Sequence, residues 1–146
     1  MSKPPTIADL TWLGALKFSA TINKASFTLD SAGVDGPSPV GALAAALAGC
    51  MSMDVVHILT RGRHPLRALS THLVGDRSDE DPHRFTRITV GLVVEGDVPP
   101  AAVERALALS HEKYCSVWHS MRQDIELRAS FEIRPTPPAA ASRPDE

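Results

Sequence analysis

The longest apolar run in the chain extends from Pro39 to about Arg61, and its pattern predicts a helix. Alanine, leucine, methionine and valine recur around the whole helical circumference, so hardly any polar face is left. Ser38 is a suitable N-cap, and Pro39 suits the first turn. Gly62, followed by Pro65, suits the end of the helix. Because an all-apolar helix avoids water, we expect it to be the buried central helix of the domain.

Short alternating patterns before this helix predict β-strands. Breaks near Gly14 and at Asn23-Lys24 divide residues 11–31 into two or three short antiparallel strands, since Asn tolerates the positive φ of tight turns. The side chains expected to point inward are Trp12, Leu16, Phe18, Ile22, Phe27 and Leu29.

Three more strands are predicted after the helix, at residues 66–75, 88–94 and 125–133. The middle one is apolar on both faces, which is typical of a central strand. The polar run 76–84 is predicted to be a solvated loop.

A second helix is predicted after Asp97, which we expect to cap it, with the following prolines in its first turn. Its buried stripe is expected to comprise Val103, Ala106, Leu107, Ser110 and Tyr114. Residues 112–119 predict a break and a further helical turn to about Arg122, with Cys115 near the junction.

This order of elements predicts an α+β fold with a mainly antiparallel sheet. We expect one domain over residues 9–134, a flexible lead over residues 1–8 and a disordered, proline-rich tail over residues 135–146.

The composition narrows the classes of function. A hydrophobic content of 43%, a charged content of 22% and a net charge of -2 give no basic excess for nucleic acid or an anionic membrane. Within the predicted helix, the part without a charged residue runs only from Val40 to Met53 and ends at Asp54, which makes it short for a membrane span of about 20 residues. The first residues contain no apolar segment typical of a signal peptide. We therefore expect a cytoplasmic protein.

The candidate chemistry lies on the predicted central helix, where Cys50, Asp54 and His57 share one face. The second cysteine, Cys115, follows far along the chain, and the two are either core residues or a redox pair. Asp54 is expected to bond His57 or to pair with Arg61 along the helix.

Several common cofactor signatures are missing from the sequence, including a Gly-rich phosphate loop and Cys-x-x-Cys. A metal site made of Cys50, His57, His111 and Cys115 has no spacing typical of zinc. We therefore expect neither a metal nor an organic cofactor.

Two separated motifs resemble the OsmC/Ohr family, named after osmotically inducible protein C and organic hydroperoxide resistance protein. They are Gly36-Pro-Ser-Pro-Val-Gly-Ala-Leu-Ala-Ala-Ala-Leu-Ala-Gly-Cys50-Met-Ser-Met-Asp54 and Glu112-Lys-Tyr-Cys115-Ser-Val. The resemblance covers residues 12–133, and it is closer to the broad OsmC-like branch than to the dedicated Ohr enzymes.

The resemblance implies a homodimer with interlocked sheets, two central helices packed together and active sites at the subunit interface. It implies reduction of organic hydroperoxides, with Cys50 as the peroxidatic and Cys115 as the resolving cysteine, and an external dithiol as reductant. A pocket lined by Met51, Met53 and Trp118 is expected to suit an organic substrate.

The chain departs from the pattern of well-developed family peroxidases, which resemble one another in an activating arginine and glutamate. Gly41 occupies the place expected for the glutamate, and no arginine precedes Arg61. Activation of Cys50 is left open between Lys17, Lys24, His57 and His111. The alternative function is a catalytically weak dimer that binds an apolar ligand or has a structural role.

Overall fold

A computed structural model describes residues 2–135 of the chain. The chain forms two compact units, Met1–Ala46 and Leu47–Glu146, with the boundary inside the first helix. Each unit contains a three-stranded sheet, and the predicted α+β class is confirmed. The predicted disordered tail lies outside the described residues except for its first position, and the single domain stays a prediction.

The first unit is an antiparallel meander of β1 (Ala8–Gly14), β2 (Lys17–Ile22) and β3 (Ala25–Asp30), in the order β1-β2-β3. The turn between β2 and β3 contains Asn23 with φ +56°, as the predicted tight turn requires. Of the two or three antiparallel strands predicted here, the structure has three, and the breaks near Gly14 and at Asn23-Lys24 are confirmed.

The predicted inward side chains of the first unit are less buried than expected. Trp12 is 66% exposed and Leu16 is 71% exposed, so the prediction that they point into a core is wrong for the single chain. Phe18 and Phe27 are also exposed, while Ala20 is buried. Alternation makes one face of a sheet apolar, but burial requires a second layer on that face.

The loop after β3 is organised by the Asp30 carboxylate. It accepts hydrogen bonds from the backbone N–H groups of Ala32, Val34 and Asp35. These bonds lower the pKa of Asp30, and the bond from the Asp35 N–H contributes most to the shift. Gly36 lies against Thr28 so closely that a Cβ would be 2.0 Å from the Thr28 carbonyl oxygen, which only glycine permits. The chain thus reaches Ser38 along a fixed path.

Helix α1 spans Pro39–Arg61, as predicted. The Gly41 N–H donates to Ser38 Oγ at 3.0 Å, which confirms the predicted cap. At the other end the left-handed residue is Arg63, with φ +58°, and Gly62 keeps a negative φ. A Cβ at Gly62 would lie 2.9 Å from the His64 ring, so a larger residue there would require the ring to move.

Only one stripe of α1 is buried within this chain. Its buried residues are Leu47, Met51, Val55 and Leu59. By contrast, Met53 is 73% exposed. The helix is also long and apolar enough to cross a membrane by length and composition, so the expectation that it is too short is wrong. The core helix of a soluble protein meets the same criterion.

The second unit contains β4 (Leu66–Arg77), β5 (Phe85–Gly96) and β6 (Glu126–Arg134). β5 is the central strand, as predicted, antiparallel to β4 and parallel to β6. Its fully buried side chains are Ile88, Val90, Leu92 and Val94. The parallel pair was not predicted, and it requires the helical crossover that follows β5.

Helix α2 spans Pro100–Leu109 with Pro99 as its N-cap and no side-chain cap, so the predicted Asp97 cap is wrong. Two prolines separate Asp97 from the first helical N–H groups, which places its carboxylate too far upstream. The predicted stripe is buried at Val103, Ala106, Leu107 and Ser110. Tyr114 is 49% exposed, so that part of the stripe is wrong.

Candidate active site

Cys50 and Asp54 lie one turn apart on α1, directly beside its buried stripe, and both are half-buried. The neighbouring Ser52 hydroxyl donates to the Ala48 carbonyl and lies 2.6 Å from Thr71 Oγ1 on β4. This contact fixes the rotation of the helix against the sheet of the second unit. The cysteine and the carboxylate are therefore on a rigid element.

Cys115 follows a widened, π-helical turn over Ser110–Tyr114 that continues from α2. The Cys115 N–H donates to the Ser110 carbonyl at 2.8 Å, across five residues. Cys115 is also the N-cap of the short helix α3 (Ser116–His119), and its Sγ accepts the Trp118 N–H at 3.4 Å. The predicted break is confirmed, and it holds a fully buried sulfur in place.

The fold brings the two predicted site cysteines together. The sulfurs of Cys50 and Cys115 and a carboxylate oxygen of Asp54 all lie within 4.8 Å of one another, and both cysteines are free thiols. The two sulfurs are therefore neighbours, although they are not bonded to each other.

Asp54 has a partner that the sequence did not predict. Ser110 Oγ donates to Asp54 Oδ2 at 2.8 Å. Within residues 2–135 no hydrogen bond or ion pair joins Asp54 to His57 or Arg61, so the predicted pairing along the helix is wrong. A serine in the otherwise apolar stripe of α2 was the signal that could have revealed a buried polar contact.

The environment of Cys115 opposes its ionisation. Burial, with smaller contributions from the adjacent Cys50 and Asp54, raises the pKa of its thiol to about 11. The hydrogen bond from the Trp118 N–H acts in the opposite direction but does not outweigh burial. Cys115 is therefore a protonated thiol at neutral pH.

Comparison with known proteins identifies the family. The model of the family described as OsmC-like protein matches residues 31–130. This range contains both cysteine motifs and begins after the first three strands. The chain belongs to the OsmC-like family. This confirms the resemblance to the OsmC/Ohr family that the two cysteine motifs indicated.

Related OsmC-like proteins include Protein YhfA of Escherichia coli K12, which is 38% identical over 104 residues, 70% of this chain and 78% of YhfA. A hypothetical protein from Aquifex aeolicus VF5 has a similar structure, with a TM-score of 0.86, 26% identity and coverage of 92% and 100% of the two chains. The organic hydroperoxide resistance protein OhrB of Bacillus subtilis shares the fold, with a TM-score of 0.57, 19% identity and coverage of 86% and 98%.

Two of the four groups predicted to activate the cysteine of this OsmC-like protein, Lys17 and His111, contact other residues. Lys17 pairs with Asp35 inside the first unit. The His111 ring packs edge-on against the Trp118 ring, with the two ring centroids 5.6 Å apart. The backbone carbonyl of His111 accepts a hydrogen bond from His119 Nε2. In the part of the chain that the structure describes, no cationic side chain forms a hydrogen bond with Cys50.

The predicted pocket of Met51, Met53 and Trp118 is wrong. Met51 and Trp118 are buried in the core, whereas Met53 is on the exposed side of α1. Two other cavities flank the site. One of about 820 Å³ is lined by Met53 and Val56 together with residues of β4. One of about 420 Å³ is lined by Asp54, His57, Ile58, Arg61, Leu109 and Tyr114.

Proposed function

We propose that this protein reduces organic hydroperoxides through a cysteine pair, with Cys50 peroxidatic and Cys115 resolving. The observation that supports this function is the approach of two free sulfurs to within 4.8 Å in a member of the OsmC-like family. OhrB, which shares the fold, is named for organic hydroperoxide resistance.

The different surroundings of the two sulfurs support this assignment of roles. Cys50 is half-buried and so accessible to a substrate, whereas Cys115 is fully buried and has its pKa raised to about 11. A nucleophile must be accessible and must ionise, and the burial of Cys115 opposes both. A resolving thiol needs only to be adjacent when the first sulfur is oxidised.

In the first step the Cys50 thiolate attacks the outer peroxide oxygen, and the O–O bond breaks. The leaving alkoxide takes a proton and departs as the alcohol, while Cys50 becomes a sulfenic acid. The Cys115 sulfur then attacks the Cys50 sulfur, and water leaves with the Cys115 proton. An external dithiol reduces the resulting disulfide by two thiol exchange steps, which restores both thiols.

The proposal includes a homodimer in the cytoplasm that binds neither nucleic acid nor membrane and requires no organic cofactor. Exposed apolar side chains in each unit support a partner subunit: Trp12 and Leu16 in the first, Met53 and Val56 in the second. Monomeric proteins rarely expose large contiguous apolar patches.

The test is to add cumene hydroperoxide to the reduced protein and to measure peroxide consumption together with the loss of free thiols. We expect an intramolecular disulfide between Cys50 and Cys115. In Cys50→Ser the rate should fall by roughly 10³-fold or more, because the nucleophile is lost. Equal peroxide consumption by Cys50→Ser and wild type would contradict the proposed function.

A second candidate function is binding of an apolar ligand without efficient turnover. The cavity of about 820 Å³ beside α1 supports it, since Met53 and Val56 contribute apolar surface to its lining. If this is the function, a fluorescent fatty-acid probe should bind, and Met53→Asp should weaken binding while Asp79→Asn does not. Rapid dithiol-dependent turnover of peroxide by the purified protein would exclude this alternative.

A further inference from the structure

We propose that the reduced protein binds one thiophilic divalent cation of the zinc type through Cys50, Asp54 and Cys115. This inference goes beyond peroxide reduction, because it requires no oxidant and concerns the state in which both cysteines are thiols. It also differs from the set of Cys50, His57, His111 and Cys115 considered from sequence.

The geometry of the three ligand atoms supports a metal site. All three lie within 4.8 Å of one another. Two sulfurs bound to tetrahedral zinc at about 2.3 Å each are about 3.8 Å apart, so a contraction of about 1 Å suffices. Cys50 and Asp54 are one turn apart on α1, and the Trp118 N–H fixes the third ligand, Cys115.

The donor set suits a borderline-soft cation. Two thiolates and one carboxylate are ligands that zinc accepts, and three protein ligands leave one position for water. Ser110 Oγ donates to Asp54 Oδ2 at 2.8 Å, and such outer contacts orient ligating carboxylates. Among the described residues 2–135, neither His57 nor His111 belongs to this group of ligand atoms.

The electrostatics and the access to the site are also consistent with a cation. With both thiols ionised, the cluster would have three negative charges, and no ion pair within residues 2–135 includes Asp54. The cavity of about 420 Å³, which Asp54 helps to line, brings solvent to one of the three ligands. A divalent cation would offset most of this charge.

The chemistry of binding involves no change in oxidation state. Each thiol loses one proton to the buffer as its sulfur binds the cation. Formation of the Cys50–Cys115 disulfide would remove two of the three ligands, so oxidation would release the cation. The metal-bound state and the disulfide state therefore exclude each other.

The test is a titration of the metal-free, reduced full-length protein with Co²⁺ in the absence of oxygen. We expect one Co²⁺ per chain, a sulfur-to-cobalt charge-transfer band and displacement of Co²⁺ by Zn²⁺. Asp54→Asn preserves the shape and the acceptor for Ser110, and it should weaken Co²⁺ binding by at least roughly tenfold. Asp79→Asn, an exposed carboxylate in the loop after β4, is the matched control and should bind as wild type does.

Two results would overturn the metal site. One is the lack of a charge-transfer band although thiol titration finds both cysteines reduced. The other is equal Co²⁺ affinity of Asp54→Asn and wild type, with folding of both checked by circular dichroism. If the metal-free protein still forms its disulfide with cumene hydroperoxide in either case, the metal site fails and the proposed function stands.

Discussion

The middle of α1 around Cys50 and the junction around Cys115 are different environments for the same functional group. Cys50 lies half-buried at the edge of a helix stripe, beside Asp54. Cys115 is fully buried between a π-helical turn and α3, with its pKa raised by burial. A pair of cysteines can therefore divide nucleophilic attack and resolution by burial alone, without a difference in chemical type.

The difference in environment between Cys50 and Cys115 should have its largest effect on their rates of alkylation by iodoacetamide at pH 8. A pKa of about 11 leaves Cys115 roughly 100-fold less thiolate than its usual value of 9.0 would, so we expect it to react roughly 100-fold more slowly than an unperturbed thiol. Mass spectrometry of peptides quenched over time would measure each cysteine, with the urea-unfolded protein as control. Equal alkylation rates of Cys50 and Cys115 in the folded protein would contradict the assignment of different reactivity to the two cysteines.

Stability should depend on pH in the alkaline range. Above about pH 9 the unfolded Cys115 thiol ionises, whereas the folded one stays protonated until about pH 11. The free energy of unfolding should therefore fall with rising pH in this window, by at most about 2.7 kcal/mol for the two-unit difference. Urea denaturation at several pH values would measure it under reducing conditions. If the free energy of unfolding of Cys115→Ala fell equally over this pH range, another titrating group would be responsible for the pH dependence.

Cys115→Ser separates attack from resolution. The first reaction with cumene hydroperoxide should keep its rate within about a factor of three, because Cys50 is unchanged, while steady-state turnover with a dithiol should fall roughly tenfold. A sulfenic acid trap such as dimedone should label Cys50 in this variant and much less in wild type. Unlabelled Cys50 after peroxide consumption would contradict the assigned roles.

The smallest expected effect concerns the contact that joins the two regions. Ser110→Ala removes the hydroxyl that donates to Asp54 Oδ2, and we expect a loss of about 1–2 kcal/mol in the free energy of unfolding. Ser120→Ala, which removes an exposed hydroxyl bonded to the Ser116 carbonyl, is the matched control and should cost under about 0.5 kcal/mol. Urea denaturation of both variants at pH 7 would measure the difference. Equal stability of the two variants would show that the Ser110 contact contributes little.

The elements of the fold could be read largely from local pattern. The bounds of α1, the turn at Asn23 and the central position of β5 follow from periodicity, capping and turn chemistry, and all are confirmed. The prediction that Asp97 caps α2 is wrong because Pro99 occupies the N-cap position. The exposure of Trp12 and Leu16 could not be predicted, since alternation does not say whether a second layer is present.

The candidate site was predicted only in part. The family motifs indicated Cys50 and Cys115. The hydrogen-bond donor to Asp54 is Ser110, which is 56 positions away in sequence and was not predicted. The pocket of Met51, Met53 and Trp118 failed because residues on one helix point in different directions, and Met51 and Met53 are two positions apart. Long-range contacts of this kind have no local signature.

The sequence by itself determined that α1 is an apolar helix bearing Cys50 and Asp54 on one face, because helical spacing and end signals are local properties. Only the tertiary structure decided that Cys115 and Ser110 meet that face, since the π-helical turn and the crossover from β5 to β6 set their position. It also decided that Cys115 is the sulfur with the raised pKa, because burial depends on surrounding layers that no single segment specifies.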